Sequence, residues 1–410
     1  MRIVLICHYF HPEIGAPSAR LHSLARNLRA LGHDVAVLTG FPNHPTGVIP
    51  IKYRGRWVMQ EDMDGVRVLR NWVYATPNEG IVKKTLGHLS FMFSSVLLGA
   101  PRLGKADVVV VSSPTFFAVL SAWVISLAKG VPFVFEVRDL WPAVFVELGV
   151  LKNRWIIKAL EAVEMFLYRR AAAVVTVTES FRENLVSRGI PRGKVSVITN
   201  GVDLEEFSPG DPDPELRRGL SLEGKFIVLY IGAHGISHAL AAVLEAARRL
   251  RERRDILFLF VGEGAEKKGL MKRASDWGLE NVRFLSGQPR ERVQEFYRLA
   301  DICLVPLRNI PLFDTFIPSK MFEIMACGKP IVASVRGEPR MILERSGAAA
   351  VVDPEGSGAI AEAVVSLQED PSRRRDMGIR GRAFVEKYYQ RRALAERYAA
   401  ILAMVAAPAP

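Results

Sequence analysis

The chain has 410 residues, too many for one hydrophobic core and suited to two domains. Hydrophobic residues make up 49% and charged ones 24%, which excludes a disordered chain. Lysine and arginine number 55 against 43 acidic residues, and the resulting +12 favours an anionic partner: nucleic acid, a phosphorylated substrate or an acidic membrane.

Residues 1–180 carry 20 basic and 13 acidic side chains, so the amino-terminal part is the more basic. Met1–Cys7 is too short for a secretory signal and reads as a buried first strand over Ile3–Cys7. A helix from about Pro17 to Leu31 ends at Gly32, and Asp34–Thr39 is a second strand. Residues 108–128 are uncharged, about the length of a membrane span. However, Val108–Val111 is a β-branched run, Ser112-Ser113-Pro114 punctuates it, and only Phe116–Ala128 has helical character. The reading is strand, turn and buried helix. Phe133–Val137 and Val174–Val177 repeat the rhythm, which predicts βαβ units and a parallel sheet covered on both faces.

Glycine, proline and acidic residues cluster over Asn200–Pro214, which marks a domain boundary. The alternation then restarts, with strands at Phe226–Ile231, Leu257–Val261, Val282–Leu285, Ile302–Pro306 and Ile331–Ser334. Helices are expected at about Ala239–Arg253, Glu266–Trp277, Arg290–Ala300 and Lys320–Cys327, and a helical tail at about Ser372–Met404. The fold class is α/β, with two Rossmann-like parallel-sheet halves over 1–200 and 201–385 facing a central cleft. Ligands of such sheets sit at the carboxyl ends of the strands. Cys7, Cys303 and Cys327 have no redox or ligand spacing, which fits a reduced cytoplasmic compartment.

Four constellations carry chemistry. Gly15-Ala16 precedes the first helix, where small residues let amides approach a phosphate or sugar. In the same turn, His8 and His11 stand at i, i+3 without a recognisable third metal ligand. Glu136-Val137-Arg138-Asp139-Leu140-Trp141-Pro142 puts charges at a strand's carboxyl end. Asp139 is a candidate for proton handling and Arg138 for an anion contact, against the alternative of a helix-capping pair. Gly232-Ala233-His234-Gly235 offers amides to a diphosphate, with His234 reaching a sugar or phosphate. Lys320 and Glu323 share one face at a helix start, where a cation suits a diphosphate and a carboxylate suits vicinal hydroxyls.

Asp62-Met63-Asp64 and Asp211-Pro212-Asp213 resemble Mg²⁺-nucleotide pairs but fall in a turn and in the linker, so no metal or other cofactor is expected. Lys52, Arg54, Arg56, Arg67, Arg70, Lys83 and Lys84 precede the uncharged segment Leu86–Leu98, which bears Phe91 and Phe93. Such a pattern suits docking on an anionic bilayer, with a plain core helix as the alternative. No nucleic-acid-binding module or stacking platform is present, so nucleic acid is not an expected partner.

Together with "LRALGHDVAVLT" (Leu28–Thr39), "ITNGVDLEEFSP" (Ile198–Pro209), "LFVGEG" (Leu259–Gly264) and "PSKMFEIMACGKPIVAS" (Pro318–Ser334), these segments resemble the family-four retaining glycosyltransferases of the GT-B fold. "VRDLWP" and "PSKMFE" look most like the subgroup building bacterial O-antigen and capsule, of N-acetylfucosaminyl type. The resemblance implies metal-independent transfer of an N-acetylated amino sugar or hexose, with retention, from a UDP-linked donor. The implied acceptor is a lipid diphosphate-linked saccharide on the cytoplasmic face of the membrane. A non-hydrolysing nucleotide-sugar epimerase of the same fold is the alternative.

On that resemblance Glu323 holds the donor ribose, while Lys320 with the Phe316, Ile317, Pro318 and Ser319 backbone holds the diphosphate. Gly262, Glu263 and the Gln288 loop lie near the base, the Gly15 loop closes over the donor, and a helix over 386–410 packs back on the first domain. The sequence departs from the family at Thr315, where a glutamate is usual. It also has Gly235–His238 in place of the customary arginine and lysine, and "EVRDLWP" lacks the histidine of the reacting centre.

Overall fold

The computed structural model describes residues 1–407 apart from 14, 45, 77–80, 114, 148 and 150. The chain forms two compact units, Met1–Asn200 with Arg391–Pro410, and Gly201–Gln390.

The first unit is an eight-stranded sheet. Its strands are β1 (Arg2–Ile6), β2 (Asp34–Gly40), β3 (Val58–Met63), β4 (Val66–Asn71), β5 (Val108–Ser112), β6 (Phe133–Val137), β7 (Ala173–Thr176) and β8 (Val195–Val197). They lie in the order β3-β4-β2-β1-β5-β6-β7-β8, parallel except for the β3–β4 hairpin. Burial on both faces explains the near-continuous apolar runs, as in Val108–Ser112, every residue of which is buried. The uncharged stretch after it is therefore a core strand followed by the helix Phe116–Lys129, and no helix among the described residues is long and apolar enough to cross a membrane. Asp64-Gly65 closes the β3–β4 hairpin with positive φ at both positions, as a two-residue loop requires.

The second unit is a six-stranded parallel sheet of β9 (Phe226–Ile231), β10 (Ile256–Val261), β11 (Val282–Leu285), β12 (Ile302–Pro306), β13 (Ile331–Ser334) and β14 (Ala349–Val352), ordered β11-β10-β9-β12-β13-β14. The strand order reverses between β9 and β12 in this unit and between β1 and β5 in the first, and such reversals open a crevice at the carboxyl ends.

The tail, read from sequence as one helix, is two: Pro371–Tyr388 and Arg391–Ala406. The break has a physical cause, because the Tyr389 carbonyl accepts the Val202 amide and Gln390 forms a β-bridge with Val202. Residues 386–390 belong to the second unit. The last helix packs in the first unit, burying Leu394, Tyr398, Ile401 and Leu402 in the core that includes Leu21, Ala25 and Leu28. Each such side chain stabilises the fold by roughly 1.5–3 kcal/mol.

Candidate active site

The glycine positions of the second unit are set by close approach. Gly232 follows β9 with φ +142°, and a Cβ there would lie 2.6 Å from the Lys320 Nζ. Gly262 follows β10 with φ +148°, and a Cβ there would lie 1.9 Å from the Gly232 carbonyl oxygen. Any side chain at either residue would displace the Lys320 ammonium or part the two strand ends.

Lys320 opens the helix Lys320–Ala326. Its Nζ is enclosed, has no hydrogen-bond partner among the described residues, and sits 4.0 Å from the Tyr230 ring centroid. Burial pushes its pKa down to about 7 against the opposing pull of Glu323. His234 is buried with both ring nitrogens unpartnered among the described residues. Burial, Lys267 and Lys320 lower its pKa to about 4. His238 falls to about 3 through burial, Lys320 and His234. Three basic groups thus crowd the crevice at the strand-order reversal, which favours a polyanion. The amides of Met321 and Phe322 are already spent on the Pro318 and Ser319 carbonyls, so Lys320 is the main fixed donor at this helix start.

Glu323 is buried, with Oε1 accepting from Arg290 Nη1 at 2.6 Å and Oε2 from the Tyr297 hydroxyl at 3.0 Å. Each oxygen retains a lone pair for a ligand hydroxyl. Arg290 is itself held by Glu206 at 2.5 Å and lies over the Phe207 ring. These buttresses escaped the sequence reading, because Arg290 lies 33 residues from Glu323 and nothing in the local pattern joins them. Glu263 is exposed, paired with Lys267 at 2.9 Å and accepting the Gly287 amide at 3.2 Å. That bond ties its loop to the one bearing Gln288, whose side chain donates to the Ser286 carbonyl. Gly235 starts the turn Ile236–His238, and Phe316, Ile317, Pro318 and Ser319 form the lead-in to Lys320. Thr315 Oγ1 donates to the Leu312 carbonyl, so no acid occupies that position.

In the first unit, Glu136, next to last in β6, is fully buried and clasped by Arg20 Nη2 at 2.6 Å. Arg20 also donates to the Ile198 and Thr199 carbonyls. Burial raises the Glu136 pKa, but Arg20 and Arg138 outweigh it and hold the carboxyl below its ordinary range. With Glu136 engaged by Arg20, Arg138 has its Nε and Nη1 enclosed and without a hydrogen-bond partner among the described residues. The Arg138 and Asp139 amides both donate to Ser113 Oγ, and Trp141 stacks on Phe116 at 4.3 Å, so the loop is fixed from two sides. Burial raises the Asp139 pKa, opposed by Arg138. Gly15 precedes the helix Ala16–Ala30 and accepts the Ala19 amide.

The basic stretch needs correction. Arg70 is fully buried against Glu61 and donates to the Gly40 and His11 carbonyls, so it is part of the core. Arg67 donates to the Leu103 carbonyl. Phe91 is 0% exposed and cannot dock on anything, because its side of the helix Ile81–Ser94 faces His8 and Gly40. Phe93 is 58% exposed and continues a stripe of exposed apolar side chains, Val82, Leu86, Phe93 and Leu97, at helical spacing. Lys52, Arg54, Arg56, Lys83 and Lys84 are exposed, although Lys52 pairs with Glu61 and Arg54 donates to the Ile49 carbonyl.

The two aspartate pairs have structural work. Asp62 accepts the Gly65 amide in the hairpin, and Asp213 caps the helix Pro214–Gly219. No group of three His, Cys, Asp or Glu residues able to hold a metal occurs among the described residues.

Residues 15–201 match the family model described as glycosyl transferase 4-like domain, and residues 213–384 the one described as glycosyl transferases group 1. Escherichia coli WcaI, whose name ascribes to it a glycosyl transferase role in colanic acid biosynthesis, is 26% identical over 374 residues, 89% of this chain and 91% of that one. A GDP-mannose-dependent phosphatidylinositol monomannoside mannosyltransferase of Mycolicibacterium smegmatis is 30% identical over 57% of this chain and 62% of its own length. Among solved structures, Anabaena HepE in complex with UDP and glucose superposes with a TM-score of 0.74 at 18% identity, over 98% of this chain and 99% of that one. WaaG, a glycosyltransferase involved in lipopolysaccharide biosynthesis, superposes at 0.68 with 16% identity, over 98% and 99%.

Proposed function

This chain is a glycosyltransferase of the GT-B fold, and on that premise we propose that it moves a sugar, a hexose or an N-acetylated amino sugar, from a UDP-linked donor to a lipid diphosphate-linked saccharide in bacterial surface polysaccharide synthesis. The observation that carries the reading is the enclosed Lys320 ammonium, unpartnered among the described residues, one helical turn from the anchored Glu323. A nucleoside diphosphate matches both, with its diphosphate on Lys320 and its ribose hydroxyls on Glu323.

As the bond between the sugar carbon and the diphosphate oxygen breaks, negative charge grows on the leaving group and Lys320 stabilises it. The acceptor hydroxyl forms the new bond on the same face of the sugar, and in this reading Asp139 takes its proton while Arg138 is a second anion contact. Asp62 and Asp213 are engaged in a hairpin turn and a helix cap, which supports transfer without metal, and a chelator is expected to leave turnover intact. The exposed stripe Val82, Leu86, Phe93 and Leu97, with the neighbouring Lys83, seats the protein peripherally on the inner face of the cell membrane.

A thermal-shift screen of UDP-, GDP- and ADP-sugars tests the donor. A UDP-sugar is expected to raise Tm in the native protein and to lose most of that effect in Glu323→Ala. The GDP-mannose-dependent relative makes GDP-sugars the critical comparison, and preferential stabilisation by one of them would overturn the choice of base.

A further inference from the structure

The first unit holds a separate cationic pocket. β1 and β2 run parallel, Ile6 beside Leu38, so the loops that follow leave the sheet together. The His8 carbonyl accepts both the Gly40 amide and the Thr39 hydroxyl. Glu13 stitches the loops further, accepting the amides of Phe10 at 3.1 Å and of Asn43 and His44 at 2.9 Å each. Onto them the helix Ile81–Ser94 lays Lys84, His88 and Phe91, at steps of four and three residues that share one face.

His8 comes within 4.8 Å of His88 and 4.4 Å of Tyr9, ring to ring, and Tyr9 within 5.3 Å of His44. The Tyr9 hydroxyl is 3.4 Å from His88 Nε2. Lys83 and Lys84 complete the lining of a narrow cavity with an open mouth.

Three features define what this cavity takes. His8 is 3% exposed, yet its Nδ1 has no partner among the described residues. No described lining residue is acidic, and the nearby Glu13 is engaged by three amides. Burial, then His88, His44 and Lys84, pushes the His8 pKa well below its usual value, while burial and Lys84 bring His88 to about 4. The pocket thus sets two imidazoles, His8 and His88, kept neutral chiefly by burial, beside two lysines. A metal ion is disfavoured, because Lys84 repels it and no metal-binding trio converges there among the described residues.

An anion reverses the balance, since it accepts N–H donors from every side and makes protonation of the imidazoles favourable. We infer that this pocket binds a phosphate or diphosphate ester, its anionic group held by His8, His44, His88, Lys83 and Lys84. The opposite face of the same helix carries the exposed Val82, Leu86 and Phe93, continued by Leu97 in the turn after it, so a phosphate ester with an apolar tail would engage both faces at once. That last step rests on the lipid-linked acceptor proposed above, whereas the anion site does not.

Histidine-resolved ¹H–¹³C NMR of the full chain, titrated with inorganic pyrophosphate, tests the site. The His8, His44 and His88 signals are expected to move, with the His88 pKa rising by at least one unit, and Lys83→Gln/Lys84→Gln to weaken this binding at least tenfold. Both lysines are exposed, so an unchanged Tm establishes that the variant is folded. Pyrophosphate that moves only His234 and His238, or binds the double variant equally well, would overturn the inference. A short prenyl diphosphate then separates the sources. Binding at least tenfold tighter than pyrophosphate supports a lipid-linked ligand. Equal binding leaves the anion site standing for a soluble phosphate ester and removes the lipid acceptor.

Discussion

Each unit gathers imidazoles and lysine at the carboxyl ends of a parallel sheet, but the two clusters are finished differently. In the second, glycines 232 and 262 clear space for Lys320, and a carboxylate, Glu323, is held a turn away by Arg290 and Tyr297. In the first, the histidines and lysines have no free carboxylate among the described lining residues, and the helix that supplies three of them presents apolar side chains outward. A cation next to an anchored acid reads a diphosphate joined to a ribose. Cations without that acid, beside an apolar stripe, read a phosphate alone or on a lipid. The same topology supplies both, and the residues added at its edge decide the ligand.

The sharpest way to break this contrast is Lys320→Met. Losing the main fixed cation for the leaving diphosphate is expected to lower kcat by roughly 10²–10³-fold. Stability should not fall with it. The folded-state pKa of about 7 lies below the ordinary 10.5, so between those values the unfolded chain holds a proton that the folded one lacks. Stability therefore rises with pH across that window in the native protein, and Lys320→Met should flatten the rise when unfolding is followed from pH 7 to 10. A variant that loses both activity and Tm would make Lys320 structural.

Glu323→Ala comes next. Loss of charged hydrogen bonds to the ribose is expected to weaken donor binding by roughly 10–100-fold, and Arg290 and Tyr297, left half-partnered, should lower stability by about 1–3 kcal/mol. Calorimetric titration with the donor should show that loss, while the pyrophosphate titration followed on His8, His44 and His88 should show affinity in the first unit untouched. A joint loss would mean that the clusters are not independent.

A smaller effect belongs to the outer stripe. Phe93→Ser with Leu97→Ser should weaken binding to anionic vesicles by about tenfold or more, given roughly 1.5–3 kcal/mol for each apolar side chain buried. Tm should stay unchanged, because both side chains are exposed. Phe91→Ser, two residues away but buried, should destabilise the fold instead. Co-sedimentation that does not distinguish Phe93→Ser/Leu97→Ser from the native chain would remove the membrane reading.

Legibility followed sequence distance. β6, β9, β11, β12 and β13 have the bounds their apolar runs imply. β8 is three residues long, and β14 opens on two alanines in an alanine run, so neither stands out as a strand. Gly232, Gly262, Lys320 and Glu323 were legible because their neighbours carry a pattern. Arg290, Tyr297, His44 and His88 were not, since only the side-by-side ends of parallel strands bring them to their sites. The basic run misled at Arg70 and Phe91 because composition does not state which face of an element a residue occupies. Periodicity could have separated Phe91 from Phe93, since residues two apart on a helix point away from each other.

Asp139 offers the smallest change in stability and the finest test of the first unit. Burial raises its pKa, opposed by Arg138, so the folded state holds a proton more tightly than the unfolded one. The stabilisation from that proton is complete below the ordinary value of 3.8 and fades as pH rises through the folded pKa, which leaves the ionised group a net cost at neutral pH. Asp139→Asn removes that cost while keeping the shape, and the loop remains fixed by Ser113 and Trp141. Tm at pH 7 should therefore stay level or rise by a few degrees, as turnover falls through loss of the proton acceptor. A fall in Tm of comparable size would show that Asp139 holds Arg138 in place, and would leave the enclosed guanidinium as the functional group of this loop.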